Sequence, residues 1–129
     1  MKLNPDCIRD ILISTEDNTG YQVYLAYPDE LDKCPLLQKY SDDELRYHFY
    51  QCHHANLIFM REEDLAGNIA IVDLTPKGHA FLANIRENKI WTGVKSISSK
   101  VGSASLDALT QIASNVVTEL IKAQFGITT

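Results

Sequence analysis

The fold of this chain is decided by the stretch Leu36-Leu37-Gln38-Lys39-Tyr40-Ser41-Asp42-Asp43-Glu44-Leu45, which contains a helix start. Ser41 can accept a hydrogen bond from the backbone amide of Glu44, and the Glu44 side chain can reach back to the amide of Ser41, as in a capping box. An apolar stripe follows at spacings of four and three residues, formed by Leu45, Phe49 and Cys52. The stretch therefore predicts the turn and second helix of a helix-turn-helix motif.

A helix and a strand are predicted before this motif. The helix begins at Asn4-Pro5-Asp6, because asparagine caps helices, proline suits the first turn and aspartate complements the positive helix end. It ends near Asn18. Residues 21–27 alternate, which predicts a half-buried strand. Its buried face is expected to consist of Tyr21, Val23, Leu25 and Tyr27. Residues 29–40 predict a short helix interrupted at Pro35, which cannot donate a backbone hydrogen bond.

A β-hairpin is predicted downstream of the motif. Apolar runs at residues 57–61 and 69–74 flank residues 62–68, which contain the turn-forming segment Ala66-Gly67-Asn68. Asn56 lies just before the first run, where a left-handed residue would end the preceding helix.

Three further helices are predicted after the hairpin. Thr75-Pro76 combines a cap with a proline and starts a helix that runs to about Arg86. A second helix is expected near residues 88–100, and Gly102-Ser103 breaks it. The last helix, at about residues 105–125, has the most sustained apolar periodicity of the chain.

The order helix, strand, helix, helix, hairpin, helix predicts an α+β winged helix, a helix-turn-helix with a β-hairpin wing. We expect residues 1–88 to form the winged-helix domain. Residues 89–129 are expected to form a helical extension that serves packing or dimerisation. A chain of 129 residues is long enough for one domain with a real core.

Charge is distributed unevenly along the chain. The net charge is −5, and up to Lys95 there are 10 Lys and Arg against 15 Asp and Glu, so the whole excess falls on the predicted winged helix. This weighs against strong nonspecific binding to a phosphate backbone, which needs clustered basic residues. The N-terminus lacks an apolar signal-peptide core, and no apolar run is long enough to span a bilayer. We therefore expect a cytoplasmic protein with no membrane partner.

Three segments resemble an uncharacterised bacterial and phage-associated family, domain of unknown function 2513. They are Leu3-Asn4-Pro5-Asp6 within residues 1–12, Tyr40-Ser41-Asp42-Asp43-Glu44-Leu45 within residues 40–48, and Leu74-Thr75-Pro76-Lys77-Gly78 within residues 74–86, with Trp91 shortly after. The resemblance implies a winged-helix-like domain, often encoded near prophage genes. It implies no catalytic residue and no ligand.

Two functions fit these patterns, and the sequence leaves both open. In the first, a phage- or prophage-associated regulator reads duplex DNA with the face of the second helix that lies opposite its apolar stripe. That face consists of Arg46, Tyr47, Tyr50, Gln51 and His54. In the second, the chain is a protein-interaction module without DNA affinity, because carboxylates crowd the start of that helix and the hairpin loop. These carboxylates are Asp42, Asp43, Glu44, Glu62, Glu63 and Asp64.

Metal binding and catalysis have weaker support in the sequence. His48 and Cys52 have the spacing of two ligands on one helix face, and His53 and His54 are adjacent, but Cys52 belongs to the apolar stripe. Structural histidines are therefore the preferred interpretation, with no metal and no cofactor. Nucleophile, phosphate-loop and metalloprotease motifs are absent from the sequence, so we do not expect an enzyme.

The last predicted helix carries an apolar stripe that must be covered. The stripe contains Leu106, Leu109, Ile112, Val116 and Leu120. Either it packs on its own domain or it pairs with a second chain. We expect a homodimer through this stripe, since symmetric dimers are the commonest oligomers. Trp91 and Phe125 are then candidate packing residues.

Overall fold

A computed structural model describes residues 1–103 and 105–126. Within these residues the chain is α+β, with five α-helices and one three-stranded antiparallel sheet. In order, the elements are α1 (Pro5–Asn18), β1 (Leu25–Tyr27), α2 (Asp42–His54), β2 (Ile58–Arg61), β3 (Ile69–Leu74), α3 (Pro76–Ile85), α4 (Asn88–Val101) and α5 (Leu106–Gln124). The chain divides into two compact units, residues 1–79 and 80–129.

The sheet of the first unit has the strand order β1-β3-β2. Leu25 of β1 pairs with Ile71 of β3, and Ile58 of β2 pairs with Leu74 of β3. The predicted hairpin is therefore confirmed, with β2 and β3 as its strands. Strand β2 alternates, so that Ile58 and Met60 are buried while Phe59 and Arg61 are exposed.

Helix α1 packs against α2, against β3 and against a 3-10 turn at Pro35–Leu37. The predicted stripe of α2 is buried, and so is the apolar face of α1. Asp10 is buried on α1, where its carboxylate accepts a hydrogen bond from Tyr40 Oη at 2.6 Å and pairs with Lys39 Nζ at 3.1 Å. This polar group fixes the segment before α2 onto α1, because a buried carboxylate needs partners.

The predicted caps are present, with one difference. Asn4 Oδ1 accepts from the amides of Asp6 and Cys7, and Ser41 Oγ accepts from the amide of Glu44 at 3.2 Å. The Glu44 side chain accepts instead from Asn4 Nδ2, at 2.9 Å, so the reciprocal half of the expected capping box is replaced by a contact between α2 and the start of α1.

The start of α3 is held by a close approach to the backbone of Leu57. Thr75 Oγ1 donates to the carbonyl of Asn56 at 2.6 Å and accepts from the amide of Gly78 at 2.9 Å. A Cβ at Gly78 would lie 1.9 Å from the carbonyl oxygen of Leu57, so only glycine fits there. The Thr75-Pro76-Lys77-Gly78 segment therefore has a structural role within the first unit.

The strand predicted at residues 21–27 is shorter than expected. Leu25 and Tyr27 are buried, but Tyr21 is 91% exposed and Val23 is also exposed. The reason is a tight turn: Gly20 and Val23 exchange backbone hydrogen bonds, and Gln22 has φ +59°, so the chain reverses before β1. Alternation in the sequence continues through this turn although the strand does not.

The interruption predicted at Pro35 within residues 29–40 is present, but the segments on its two sides are not α-helical. The structure has two separate 3-10 turns, at Leu31–Lys33 and Pro35–Leu37. Proline at the start of the second turn cannot donate the hydrogen bond that would join them into one helix.

In the second unit, α4 and α5 pack against each other. Gly102 ends α4 with φ +72°, as the break predicted at Gly102-Ser103 requires. Trp91 and Val94 of α4 are buried, as are Leu106 and Leu109 of α5. The second half of α5 is different, since Leu120 is 51% exposed and Phe125 is 75% exposed.

Candidate interaction surface at helix α2 and the hairpin tip

All five predicted DNA-contacting residues lie at least partly exposed on α2. Tyr47, Tyr50 and Gln51 are half-buried and His54 is exposed, whereas the opposite face of the helix is buried. The rings of Tyr50 and His54 are neighbours, with centroids 6.0 Å apart. The helix therefore presents an aromatic and polar face of the expected composition.

Arg46, the fifth of these residues, is tied into the protein. Its Nε donates to both carboxylate oxygens of Asp42 at 2.9 Å, and its Nη1 donates to Glu63 and to the carbonyl of Gly67, the latter at 2.8 Å. The guanidinium also lies over the ring of Tyr27, 5.1 Å from its centroid. The only cation of the predicted DNA face thus joins α2 to the loop between β2 and β3.

Tyr27 and Asp42 complete this connection. Tyr27 Oη donates to Asp42 at 2.5 Å, and the Tyr27 ring packs edge-to-face on Phe49 at 5.0 Å. The hydrogen bond from Tyr27, followed by those from Arg46, holds the pKa of Asp42 below its ordinary value of 3.8. Burial and then Asp42 raise the pKa of Tyr27 above its ordinary value of 10.0. At neutral pH the carboxylate is therefore ionised and the phenol is protonated.

Residues 62–68 form an ordered loop, called here the hairpin tip. Asp64 Oδ1 accepts from the amides of Ala66 and Asn68, each at 2.9 Å, and the Asn68 amide is the main cause of a lowered Asp64 pKa. Gly67 has φ +85°, which favours glycine. Leu65 is fully exposed at this tip. The loop therefore exposes the apolar side chain of Leu65 to solvent, with the carboxylates of Glu62, Glu63 and Asp64 in the same loop.

The surface around α2 and the hairpin tip is acidic. Since Arg46 bonds to both Asp42 and Glu63, the acidic helix start and the acidic tip lie next to each other. Residues 1–79 contain seven Lys and Arg against fourteen Asp and Glu, a net charge of −7, whereas residues 80–129 carry +2. We call this region the acidic surface; it consists of Asp42, Asp43, Glu62, Glu63 and Asp64, together with Leu65.

Four of the six other cations of the first unit contact groups other than the carboxylates beside Arg46. Lys33 pairs with Glu30 and Lys39 with Asp10, while Arg61 lies over the ring of Tyr24 at 5.0 Å. Lys77 donates to the carbonyl of Ala55. Among the residues of this unit, all of which the structure describes, the charge next to Arg46 is negative.

The predicted histidine and cysteine candidates differ in burial, although the rings of His53 and His54 are neighbours with centroids 5.6 Å apart. His48 and Cys52 are buried while His54 is exposed. A different group forms at the start of α1, where one ligand atom each of Cys7, Glu44 and His48 lie within 4.8 Å of one another. His48 was singled out from the sequence but the other two members were not, since Cys7 lies far along the chain from Glu44 and His48.

Most of the atoms in the Cys7–Glu44–His48 group that could coordinate a metal already take part in hydrogen bonds. His48 Nε2 accepts from the amide of Asn4 at 2.8 Å, and its Nδ1 lies 2.7 Å from the Glu44 carbonyl, to which it can donate as the neutral tautomer. Glu44 accepts from Asn4 Nδ2. Burial raises the pKa of Cys7 to about 12, which disfavours the thiolate that binds metals. The group is suited to fastening α1 to α2.

Comparison with known proteins gives the family. Residues 2–105 match the family described as Hypothetical protein (DUF2513), so the chain belongs to that family. An uncharacterised protein of Haemophilus influenzae is 29% identical over 124 residues, covering 94% of this chain and 99% of the relative. No solved structure matches the chain. In the described residues no helix has the length and apolar character needed to cross a bilayer.

Proposed function

We propose that this protein is a winged-helix interaction module that binds a basic surface of a partner protein through its acidic surface. The winged helix is supported by the order helix, strand, helical turns, helix and hairpin, with strand order β1-β3-β2, in which α2 would be the second motif helix and the hairpin tip the wing. The proposed role is binding rather than catalysis.

The observation that carries this proposal is the neutralisation of Arg46 by Asp42 and Glu63. A DNA-binding helix needs free cations beside the groove, because affinity for a duplex comes largely from phosphate contacts. With Arg46 engaged, the α2 start and the hairpin tip present carboxylates and the exposed Leu65. Such a surface repels phosphates and complements lysine and arginine around an apolar pocket.

A second candidate is a phage- or prophage-associated DNA-binding regulator. It is favoured by the exposed face of α2, since Tyr47, Tyr50, Gln51 and His54 are residue types that contact phosphates and base edges. On this hypothesis the neighbouring carboxylates would shape specificity rather than supply affinity.

The same proposal includes a homodimer. The second half of α5 exposes apolar residues, and contact with a second chain would remove them from water. A dimer would also present two acidic surfaces to one partner.

Fluorescence anisotropy with three labelled probes tests the proposal: a peptide of alternating lysine and leucine, a matched glutamate-leucine peptide, and random duplex DNA at several salt concentrations. We expect the lysine-leucine peptide to bind, and we expect neither the glutamate-leucine peptide nor the duplex DNA to bind. The variant Asp43→Lys with Glu62→Lys should weaken that binding about tenfold through charge reversal. Asp17→Lys with Asp29→Lys makes the same change of net charge outside the acidic surface and should have little effect.

Two results would contradict the assignment. Tight, steeply salt-dependent binding of duplex DNA without peptide binding would replace it by the DNA-binding regulator. Equal loss of peptide binding in both double variants would show that net charge, rather than the acidic surface, attracts the peptide.

A further inference from the structure

The packed helices α4 and α5 leave an apolar groove along one side. Two adjoining depressions, with volumes of about 360 and 430 Å³, share Val116 and Leu120 of α5 as a wall. Ile90 and Ile97 of α4 form the opposite wall, with Gly93 between them. We call this feature the α4–α5 groove. Side chains of this kind, left exposed along two helices, mark an interaction site.

Gly93 has no steric reason to be glycine within its own chain. It lies in the interior of α4, where glycine weakens a helix relative to alanine. A Cβ built at Gly93 meets no atom within 4 Å, whereas the Cβ of Gly78 would collide with the backbone. The missing side chain leaves a depression in the groove that a side chain from another chain can fill.

We propose that the α4–α5 groove is the contact surface between two copies of this chain. This inference rests on the homodimer in the proposed function and gives that dimer a location. Leu120 of each copy would pack against Gly93 and Ile97 of the other. The dimer would then be a bundle of four helices, two from each chain.

Charge at the edges of the groove supports a second copy as the occupant. Lys89 lines it from α4, and Glu119, which also pairs with Lys122 of its own helix at 3.5 Å, lines it from α5. A two-fold rotation can bring Lys89 of one chain to Glu119 of the other. Residues 80–129 carry a net charge of +2, against −7 for residues 1–79. Two copies can therefore meet here without the repulsion that two acidic surfaces would have.

This location differs in part from the stripe predicted on the last helix. Leu106 and Leu109 are buried within the chain itself, so they are not available to a second copy in this conformation. Ile112 is half-buried, while Val116 and Leu120 line the groove. The proposed interface therefore uses the second half of α5 and adds α4, which the stripe did not include.

Sedimentation velocity on the full chain over a range of concentrations tests the groove. Wild type should be a dimer, and Leu120→Gln should raise the dimer dissociation constant about tenfold or more. Leu65→Gln is the matched control, because it removes an exposed leucine from the hairpin tip instead. Gly93→Gln places a side chain in the groove from a position where the added Cβ meets no atom within 4 Å, and it should also weaken the dimer. Circular dichroism should show wild-type helix content in all three variants.

Charge exchange gives an independent test of the two-fold arrangement. Lys89→Glu and Glu119→Lys should each weaken the dimer, and the double variant should recover most of the affinity. A wild-type protein that is monomeric at every concentration would remove the homodimer and the groove together. A dimer unaffected by Leu120→Gln, Gly93→Gln and the charge variants would leave the homodimer standing and overturn the groove as its interface.

Discussion

The backbone amide of Asn4 donates a hydrogen bond to Nε2 of His48 at 2.8 Å, and this contact fastens the start of α1 to the middle of α2. His48 is completely buried, and its other ring nitrogen lies 2.7 Å from the Glu44 carbonyl. Asn4 also donates to Glu44, so one asparagine engages two residues a turn apart on α2. The first turn of α1 is therefore packed against α2, the helix whose start contributes Asp42 and Asp43 to the acidic surface.

We predict that His48→Leu lowers the free energy of unfolding by about 2–3 kcal/mol, because it leaves the Asn4 amide without its acceptor in a partly buried place. Urea denaturation followed by circular dichroism measures the change. His54→Leu, on the exposed part of the same helix, should change the free energy by less than about 0.5 kcal/mol. Equal effects of the two substitutions would contradict the role given to His48.

Arg46→Lys should loosen the hairpin tip. A lysine carries the charge but cannot donate to Asp42, Glu63 and the Gly67 carbonyl together, since it lacks the planar fork of the guanidinium. We expect a loss of about 1 kcal/mol of stability and faster hydrogen exchange in residues 62–68.

The control for this experiment is Arg61→Lys, because Arg61 contacts Tyr24 rather than the carboxylates of the tip. Unchanged exchange at the tip in Arg46→Lys would show that the turn around Asp64 holds the loop by itself.

Gly78→Ala is predicted to be severely destabilising. The new methyl group would lie 1.9 Å from the Leu57 carbonyl oxygen, so either α3 or the strand entry at Leu57 must move. We expect a loss of more than about 3 kcal/mol, seen as a lower urea midpoint or as insoluble protein. Gly20→Ala meets no atom within 4 Å and should stay within about 0.5 kcal/mol of wild type; a similar loss there would point to a general intolerance of substitution.

Stability should fall at acid pH partly through Asp42. Its folded-state pKa is lowered by Tyr27 and Arg46, so its contribution is fully present above the ordinary value of 3.8 and is lost as pH falls through the lower folded value. Asp42→Asn should therefore flatten the pH dependence of the unfolding free energy below about pH 4. Tyr27→Phe should flatten it too, because the phenol is the larger cause. Parallel curves for wild type and both variants would contradict this.

The local signals in the sequence predicted most helix boundaries. Ser41 caps α2, Asn56 takes φ +60° after it, Gly102 ends α4, and the β2–β3 hairpin lies where two apolar runs flank a glycine-containing loop. Each of these depends on the conformational preference of one or two residues, which the sequence displays directly.

Other features of the structure were not visible in the sequence patterns. The alternation from Tyr21 to Tyr27 was correct as a pattern, but a local turn with a left-handed Gln22 reverses the chain before β1 begins. Arg46 was expected to contact DNA because it lies opposite the apolar stripe of α2, and that assignment stays a prediction. Its engagement with Glu63 requires the hairpin tip to return beside α2, which no local pattern reveals.

The same limit applies to His48 and to α5. A structural role for His48 was preferred over metal binding, but the sequence pattern does not show that the partner of His48 is the amide of Asn4, 44 residues earlier in the chain. The periodic stripe of α5 does not distinguish Leu109, which is fully buried, from Leu120, which is half exposed.

The connection of Arg46 to Asp42, Glu63 and Gly67 also has a kinetic consequence. Because the helix start and the hairpin tip are already joined, the partner of the proposed function would meet a surface that needs little reorganisation on docking. Encounter would then be governed by long-range attraction between opposite charges, whose effect on the association rate decreases as ionic strength rises, while the dissociation rate would depend on the short-range contacts around Leu65. Association and dissociation rates measured by stopped flow at several salt concentrations would therefore distinguish the contribution of the carboxylates from that of Leu65.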